Sequence, residues 1–325
     1  MINILRNNVL RLFKKKFSVV IPIVLIVATL FFSNYYVDKL SIKMQVSDIA
    51  VVMEENSIPS NQFFNVMYYK ENVDDSEVIM GKYDAVVNRD ENGNFIIKTS
   101  KSDEYEKVLL AFLQGAFSDS NNGFFNLSER CVVFTNYMII VIMMLGISFS
   151  LFYKEDKEVG IIKRIKMSSI SAFQYLLSQF FFVFAIVFLV TSVVVAFGNI
   201  VFKIDLGIDL LSFLMILALG SFFSAGFGIL CVSIMKNMNS MLTTSSSIVV
   251  LMVILSGMII SIPKEYKFLT TLSNIIPLKK FGLISQSIAN GAGIFQDFNS
   301  ILYILVFIVV FCVLSLLCSI KEEKG

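Results

Sequence analysis

Histidine is absent from this 325-residue sequence. Its absence excludes Ser-His-Asp and Cys-His nucleophile systems and every metal site that needs an imidazole ligand. The sequence also contains no G-x-x-x-x-G-K-[ST] stretch, so it has no phosphate-binding loop of the P-loop type. We therefore expect no catalytic residue, no metal and no cofactor bound by this chain, and we do not expect it to be an enzyme.

Charged residues are scarce and apolar residues are abundant. Asp, Glu, Lys and Arg make up 16% of the chain, where a soluble domain carries about a quarter. Hydrophobic residues make up 56%, including 32 Phe. They form uncharged runs of roughly twenty residues or more, which is the length that crosses a bilayer. The composition predicts an integral membrane protein.

The four cysteines all lie in or at the edge of apolar runs, at Cys131, Cys231, Cys312 and Cys318. Their spacing matches no metal site, and we interpret them as packing residues. None lies within the body of the polar segment 38–130, so that segment has no disulfide of its own. This lack of disulfide staples suits a bacterial source.

The uncharged runs predict an α-helical polytopic membrane protein with six transmembrane helices. The first span is 17–37 and the second is 131–153; the other four lie within 172–320, at about 173–199, 210–235, 237–262 and 298–320. The segments between them are a basic N-terminal segment 1–16, an inserted domain 38–130, a charged loop 154–171 and a tail 321–325.

Lys and Arg in the short loops predict the orientation, because these residues concentrate on the cytoplasmic side. They cluster in the N-terminal segment and the charged loop, at Arg6, Arg11, Lys14, Lys15, Lys16, Lys154, Lys157, Lys163, Arg164 and Lys166. We therefore expect a plasma-membrane protein with both termini and the charged loop in the cytoplasm and with 38–130 outside.

The segment 38–130 predicts a small α/β extracellular domain between the first two transmembrane helices. DIAVVMEEN near Asp48 predicts a strand, and YDAVVNRDENGNFIIKTS predicts two strands joined by a turn through Asn92-Gly93. SDEYEKVLLAFLQGAF predicts a helix capped by Ser102 or Asp103. The acidity of this domain fits a solvated surface, with an acidic binding face as the alternative.

The central parts of the predicted spans carry no charged residue. Ion-coupled carriers usually keep an ionisable group at membrane depth. The absence argues against a proton-coupled antiporter, so the energy for any transport must come from elsewhere.

The charged loop contains KEDKEVGIIKRIK, starting at Lys154. By itself it fits an ordinary cytoplasmic loop as well as a functional motif. Its pattern from Asp156 to Gly160, followed by a basic apolar turn and then SSIS, resembles the acidic-basic-acidic-x-Gly-Thr signature of ABC-2 type transporter permeases. Ile161 stands where that family usually has Thr, and Ser169 where Pro is common. The resemblance implies a coupling element that meets a separate ATPase, formed by Asp156, Lys157, Glu158, Gly160 and Arg164.

Two further stretches resemble the same family. LSGMIISIPKEYKFLTTLSNIIPLKKF, from Leu255, is similar to the family's segment after the fifth span, which implies short re-entrant helices on the outer face at about 263–297. Gly257, Pro263 and Pro277 occupy the expected breaks, and broken helices at membrane depth indicate the lining of a pathway. IMGKYDAVVNRDENGNFIIKTS resembles the extracellular domain that some members carry between the first two spans.

Small and hydroxylated residues mark two of the predicted spans. Gly220, Ser224 and Gly228 have the four-residue spacing that lets helices approach closely, either within one subunit or at a dimer seam. The run from Thr243 to Ser247 either lines a passage or bonds back to its own helix backbone.

The resemblance implies the membrane-spanning permease subunit of an ATP-driven exporter. Its expected partners are separate ABC ATPase subunits, which bind ATP and Mg, a second permease subunit in a homo- or heterodimer, and membrane lipid, but no nucleic acid. An amphipathic peptide, drug or lipid-like substrate fits spans without fixed charges. The alternative is a membrane sensor or anchor whose outer domain binds a ligand and signals through the charged loop.

Overall fold

The computed structural model describes residues 2–14, 17–44, 47–52, 64–69, 73, 77, 82–89, 95–99, 103–114, 122–161, 171–258, 267–291 and 297–324. Within these residues the helices are α1 (Ile2–Lys14), α2 (Phe17–Met44), α3 (Asp103–Leu113), α4 (Asn122–Glu158), α5 (Ala172–Val201), α6 (Leu210–Ile234), α7 (Met238–Ser256), α8 (Lys267–Ile275), α9 (Pro277–Ala289) and α10 (Phe298–Lys324). The strands are β1 (Ser47–Val52), β2 (Phe64–Tyr69), β3 (Ala85–Arg89) and β4 (Phe95–Thr99).

Five of the described helices are long and apolar enough to cross a membrane, namely α4, α5, α6, α7 and α10. The corresponding apolar part of α2 is the shorter stretch Val20–Tyr36. The chain is therefore a multi-pass membrane protein, and the sixth span predicted at 17–37 stays a prediction.

Helices α4 and α6 run parallel to each other and form the centre of the bundle. A Cβ atom added at Gly220 would lie 2.5 Å from Ile139, and one added at Gly146 would lie 2.8 Å from Ser224. One added at Gly228 would lie 2.8 Å from the carbonyl oxygen of Gly146. The small residues at four-residue spacing thus let the α6 backbone approach α4 of the same chain.

Helix α4 continues beyond the predicted second span and ends in the charged segment. Its last residues, Lys154–Glu158, were expected to begin a loop, but they continue the helix. Gly160 follows in the left-handed region with φ 74°, which glycine adopts without steric cost and which commonly terminates a helix.

A small sheet and one helix lie between α2 and α4 in the sequence. The strand order is β2-β1-β3-β4, with β1 parallel to β2 and β3, and β3 antiparallel to β4. Helix α3 contributes Leu109 and Leu113 to a core with buried side chains of β1, β2 and β3, and Phe95 and Ile97 of β4 pack against it. The strand near Asp48, the β3–β4 pair and the helix from Asp103 appear where the sequence predicts them; Asn92-Gly93 lies outside the described residues. Strand β2 was not predicted.

Two short helices follow α7. Gly257 ends α7 with φ 76°, and Pro277 stands at the first turn of α9, where a missing N–H costs nothing. The α9 side chains Leu278, Phe281 and Ile284 are buried against the bundle. Pro263, the third predicted break, lies outside the described residues.

We predict that Gly228→Ala lowers the free energy of unfolding by about 1–3 kcal/mol, because the new methyl group would press on the Gly146 carbonyl in a packed interface. The measurement is thermal unfolding in detergent. Unfolding is monitored by the reaction of a thiol-specific dye with Cys131 and Cys231, which are buried in the folded protein.

The matched control is Gly198→Ala in α5. Its Cβ would meet the flexible end of Leu30 at 3.2 Å and that of Ile204 at 3.6 Å, so it should melt close to the wild type. Equal melting temperatures for both variants would show that α4 and α6 do not pack this closely.

Candidate functional site: the charged end of helix α4

The last turns of α4 place two lysines against the C-terminal end of α6. Lys154 is only 1% exposed and donates from Nζ to the carbonyl oxygen of Met235 at 2.6 Å. Lys157 reaches the carbonyl oxygen of Ser233 at 3.5 Å. The last carbonyls of a helix lack partners within the helix and carry partial negative charge, so cations stabilise this end.

Glu158 binds the N-terminal end of the next helix, α7, where the exposed backbone groups are N–H donors and not carbonyls. One of its carboxylate oxygens accepts a hydrogen bond from the backbone N–H of Met238, the first residue of α7, at 2.9 Å. Asn237 caps the same helix end by accepting from the N–H of Ser240 at 2.8 Å. A carboxylate is favourable at the positive end of a helix. The end of α4 therefore holds the α6–α7 turn on both sides.

Arg11 of α1 forms ion pairs with two consecutive acidic residues of α4, Glu155 and Asp156. Its guanidinium donates to Glu155 at 2.7 Å and to Asp156 at 2.5 Å, and it lies 5.4 Å from the ring centroid of Phe152. Asp156 is only 3% exposed. A buried carboxylate is tolerated when it is paired with a cation and hydrogen bonded, as it is here.

Helix α5 satisfies the other oxygen of Asp156. The Tyr175 hydroxyl donates to it at 2.6 Å, and the Gln179 amide approaches it at 3.5 Å. The same amide donates to the Tyr175 oxygen at 2.9 Å, while its carbonyl accepts from Asn8 of α1 at 2.8 Å. Polar groups from three helices therefore bond to one another around one carboxylate.

We call this arrangement the charged clasp. It comprises Asn8, Arg11, Lys154, Glu155, Asp156, Lys157, Glu158, Tyr175 and Gln179. The clasp connects the end of α4 to α1, to α5 and to the α6–α7 turn. Its cations balance its anions, so the ion pairs hold the helices together without leaving a net charge in the contact.

Of the predicted coupling residues, the structure turns Asp156, Lys157 and Glu158 toward other helices of this chain. The exposed tip after them is formed by Val159, which is 62% exposed, and by Gly160, where an added Cβ would meet no described residue within 4 Å. Arg164 lies outside the described residues.

Polar contacts also brace the break after α7. The Asn136 amide of α4 donates to the carbonyl oxygen of Met258 at 3.1 Å, and the Ser273 hydroxyl of α8 donates to that of Ser256 at 2.9 Å. Gly282 of α9 faces Asn136, because a Cβ there would lie 3.2 Å from its amide oxygen. The carbonyls on both sides of Gly257 are thus satisfied by neighbouring helices.

Three hydroxyls of the run at the start of α7 bond to their own helix. Thr243 donates to the carbonyl of Asn239 at 2.9 Å, Ser246 to that of Leu242 at 2.7 Å and Ser247 to that of Thr243 at 2.8 Å. Thr243 and Ser247 are nevertheless exposed on the surface of the chain. A side chain that bonds to its own helix backbone can therefore still lie on an exposed surface. The two alternatives given for this run do not exclude each other.

Sequence reasoning missed the residues that complete the clasp. Sequence reasoning uses Arg11 only as one of the basic residues that predict the orientation. It assigns no role to Asn8, Tyr175 or Gln179. The available signal was Gln179 itself, an amide inside the Phe-rich stretch of α5, since a buried amide needs a partner. Nothing in the sequence identifies that partner.

In the part of the chain that the structure describes, no group of three or more acidic or cysteine side chains could hold a metal ion. The five long apolar helices make this chain a multi-pass membrane protein. Residues 61–317 match the family described as ABC-2 family transporter protein. The chain belongs to this family and is a permease subunit of an ABC transporter, which works with an ABC ATPase. No match was found among curated proteins or among solved structures.

We predict that Arg11→Met destabilises the protein by about 3–5 kcal/mol, because it leaves the Asp156 carboxylate buried without a cation. Thermal unfolding monitored through the buried cysteines measures the loss. Arg6→Met is the control, since Arg6 is exposed on the same helix.

Combining Arg11→Met with Asp156→Asn should recover much of this loss. The neutral amide keeps hydrogen-bonding capacity toward Tyr175 and Gln179 and needs no counter-charge. If the double variant is no more stable than Arg11→Met alone, the pairing of Arg11 with Asp156 does not stabilise the fold.

Proposed function

We propose that this permease subunit works in an ATP-driven exporter that moves an amphipathic peptide, drug or lipid-like substrate out of the cell. ATP hydrolysis takes place on separate ATPase subunits, because the chain has no phosphate-binding loop. The observation that carries the proposal is the charged clasp, which joins one exposed helix tip to several helices of the bundle.

In this proposal the ATPase pushes on the tip formed by Val159 and Gly160 and on the residues after it, including Arg164. Asp156, Lys157 and Glu158 act as coupling residues by holding the tip to the rest of the chain. A push at the end of α4 then displaces α1, α5 and the α6–α7 turn together, because buried ion pairs and helix-end contacts resist separation.

The proposed topology has six spans, with both termini and the clasp in the cytoplasm of a bacterium. The clustering of Lys and Arg near the clasp supports this orientation. The sheet and α3 then lie outside. The broken helices α8 and α9 are on the outer face, at the opposite end of α4 from the clasp.

Two permease subunits, identical or related, would enclose the passage. We place α7 on its wall, because this helix exposes Thr243 and Ser247 near one end and Val250, Leu251 and Ile254 farther along. Such a surface offers hydroxyls and apolar groups but no charge, which suits an amphipathic substrate. The junction at Gly257 and Pro277 would form the outer end of the passage.

The partner assignment is tested by isolating the tagged chain from its native membranes. We expect a nucleotide-binding subunit with a P-loop sequence to co-purify with it. Purification of the chain without such a subunit, under detergents that preserve membrane complexes, would contradict the exporter proposal.

The coupling role is tested with Glu158→Lys. The lysine loses the bond to the Met238 N–H and places a cation at the positive end of α7. We expect ATP-driven uptake of amphipathic peptides or hydrophobic dyes into inverted vesicles to fall at least about tenfold, which corresponds to about 1.4 kcal/mol in the coupled step.

Glu158→Gln is the matched control, because its amide oxygen can still accept the hydrogen bond. It should transport at close to the wild-type rate, and both variants should reach the membrane in equal amounts. Normal uptake by Glu158→Lys would remove Glu158 from the coupling element.

A further inference from the structure

Three aromatic rings meet between α2 and α4. Phe32 and Tyr36 are one helical turn apart on α2, and their rings are nearly parallel, at 14°, with centroids 6.3 Å apart. The ring of Tyr137 on α4 is almost perpendicular to both, at 87° and 80°, and its centroid lies 5.7 Å and 6.0 Å from theirs. We call Phe32, Tyr36 and Tyr137 the aromatic corner, because their rings form two perpendicular walls.

The rings of the aromatic corner are accessible from outside the chain. Phe32 is 55% exposed and Tyr36 is 39% exposed, while Tyr137 is partly buried. Tyr35 is 65% exposed on another side of α2, since consecutive helical residues are rotated by about 100°. An aromatic residue that anchors a span at the lipid boundary needs only its own helix. The corner instead requires two helices to meet, and Tyr35 is an exposed tyrosine outside it.

The aromatic corner lies at the level of the break after α7. Tyr137 follows Asn136, whose amide donates to the carbonyl oxygen of Met258 just beyond the end of α7. Helix α4 contacts both α2 and α7, so the corner is on the flank of α4 that faces α2. In the proposed topology this level is the outer end of the passage.

The chemistry of the aromatic corner favours a cation. The central parts of the spans carry no charged residue, but the face of an aromatic ring carries partial negative charge and attracts a cation within about 6 Å of its centroid. Helix α2 leads from the corner into the segment 38–130, which has sixteen acidic and nine basic residues and a net charge of −7. An excess of negative charge raises the local concentration of cations. An anion would be disfavoured by both features.

We propose that the aromatic corner binds lipophilic cations, which carry a quaternary ammonium or phosphonium centre within an apolar body. The cationic centre lies against the rings, and the apolar groups lie against the uncharged surface of the spans. Such cations are weakly hydrated, so the attraction to the rings is little reduced by loss of water. The role of the corner in selecting a substrate rests on the proposed exporter function, whereas binding itself needs neither the ATPase nor ATP.

Binding is tested with tetraphenylphosphonium and the purified full-length chain in phosphatidylcholine nanodiscs, by equilibrium dialysis with empty discs as the blank. We expect saturable binding, with a Kd that Tyr137→Leu raises about tenfold. Tyr137→Phe keeps the ring and should bind like the wild type. Tyr35→Leu makes the same substitution outside the corner and should also leave the Kd unchanged.

Phe32→Leu is the second variant, because Phe32 is exposed and its replacement does not disturb the core. It should also weaken binding several-fold, which keeps the test decisive if Tyr137→Leu does not fold. The absence of saturable binding, or equal Kd values for Phe32→Leu and Tyr35→Leu, overturns the proposal.

The preference for positive charge is measured with tetraphenylborate, an anion of nearly the same shape, in a separate dialysis. We expect no saturable binding of this anion, and equal saturable binding of both ions would show a merely apolar site and overturn the proposal. These measurements contain no ATPase. Their failure therefore strikes the aromatic corner alone, while the exporter function is decided by co-purification of a nucleotide-binding subunit.

Discussion

The buried carboxylate of Asp156 is the constraint on which the clasp end of the bundle depends. A charged group removed from water destabilises a fold unless its surroundings supply a cation and hydrogen bonds. Arg11 supplies the cation, and Tyr175 and Gln179 supply hydrogen-bond donors. Helix α1 must therefore dock against the bundle, and α5 must present its polar side chains toward α4. The positions of three helices follow from the requirements of one side chain.

Two different kinds of interaction hold α4 in the bundle, one along its middle and one at its end. Along its middle, Gly146 permits close van der Waals contact with Ser224 and Gly228 of α6. At its end, Lys154 and Glu158 bind the two sides of the α6–α7 turn. Packing of small residues fixes the distance between the helices, while the charges fix their register along the axis. Together these contacts hold α4 against α6 both along its middle and at its end.

The two ends of the bundle differ in construction. The clasp end combines buried ion pairs with helix-end contacts, whereas the other end has helices interrupted at Gly257 and Pro277 and braced by neutral hydrogen bonds from Asn136 and Ser273. Neutral hydrogen bonds contribute less than charge-assisted ones. In the proposed function, a movement received at the clasp would therefore produce its largest rearrangement at the broken helices.

The sequence by itself determined the membrane class, the absence of a phosphate-binding loop and the β3–β4 pair. These follow from local properties, namely motif spacing, hydrophobic length and alternation. The sequence did not reveal β2, which pairs in parallel with the preceding strand β1 and so lacks the hairpin turn signal that predicts the β3–β4 pair. Nor did it reveal that Asp156 of KEDKE is buried among other helices. Arg11 and Asp156 are 145 residues apart, and only the tertiary structure decides such a pairing, since the free energy of a buried ion pair depends on which helices meet.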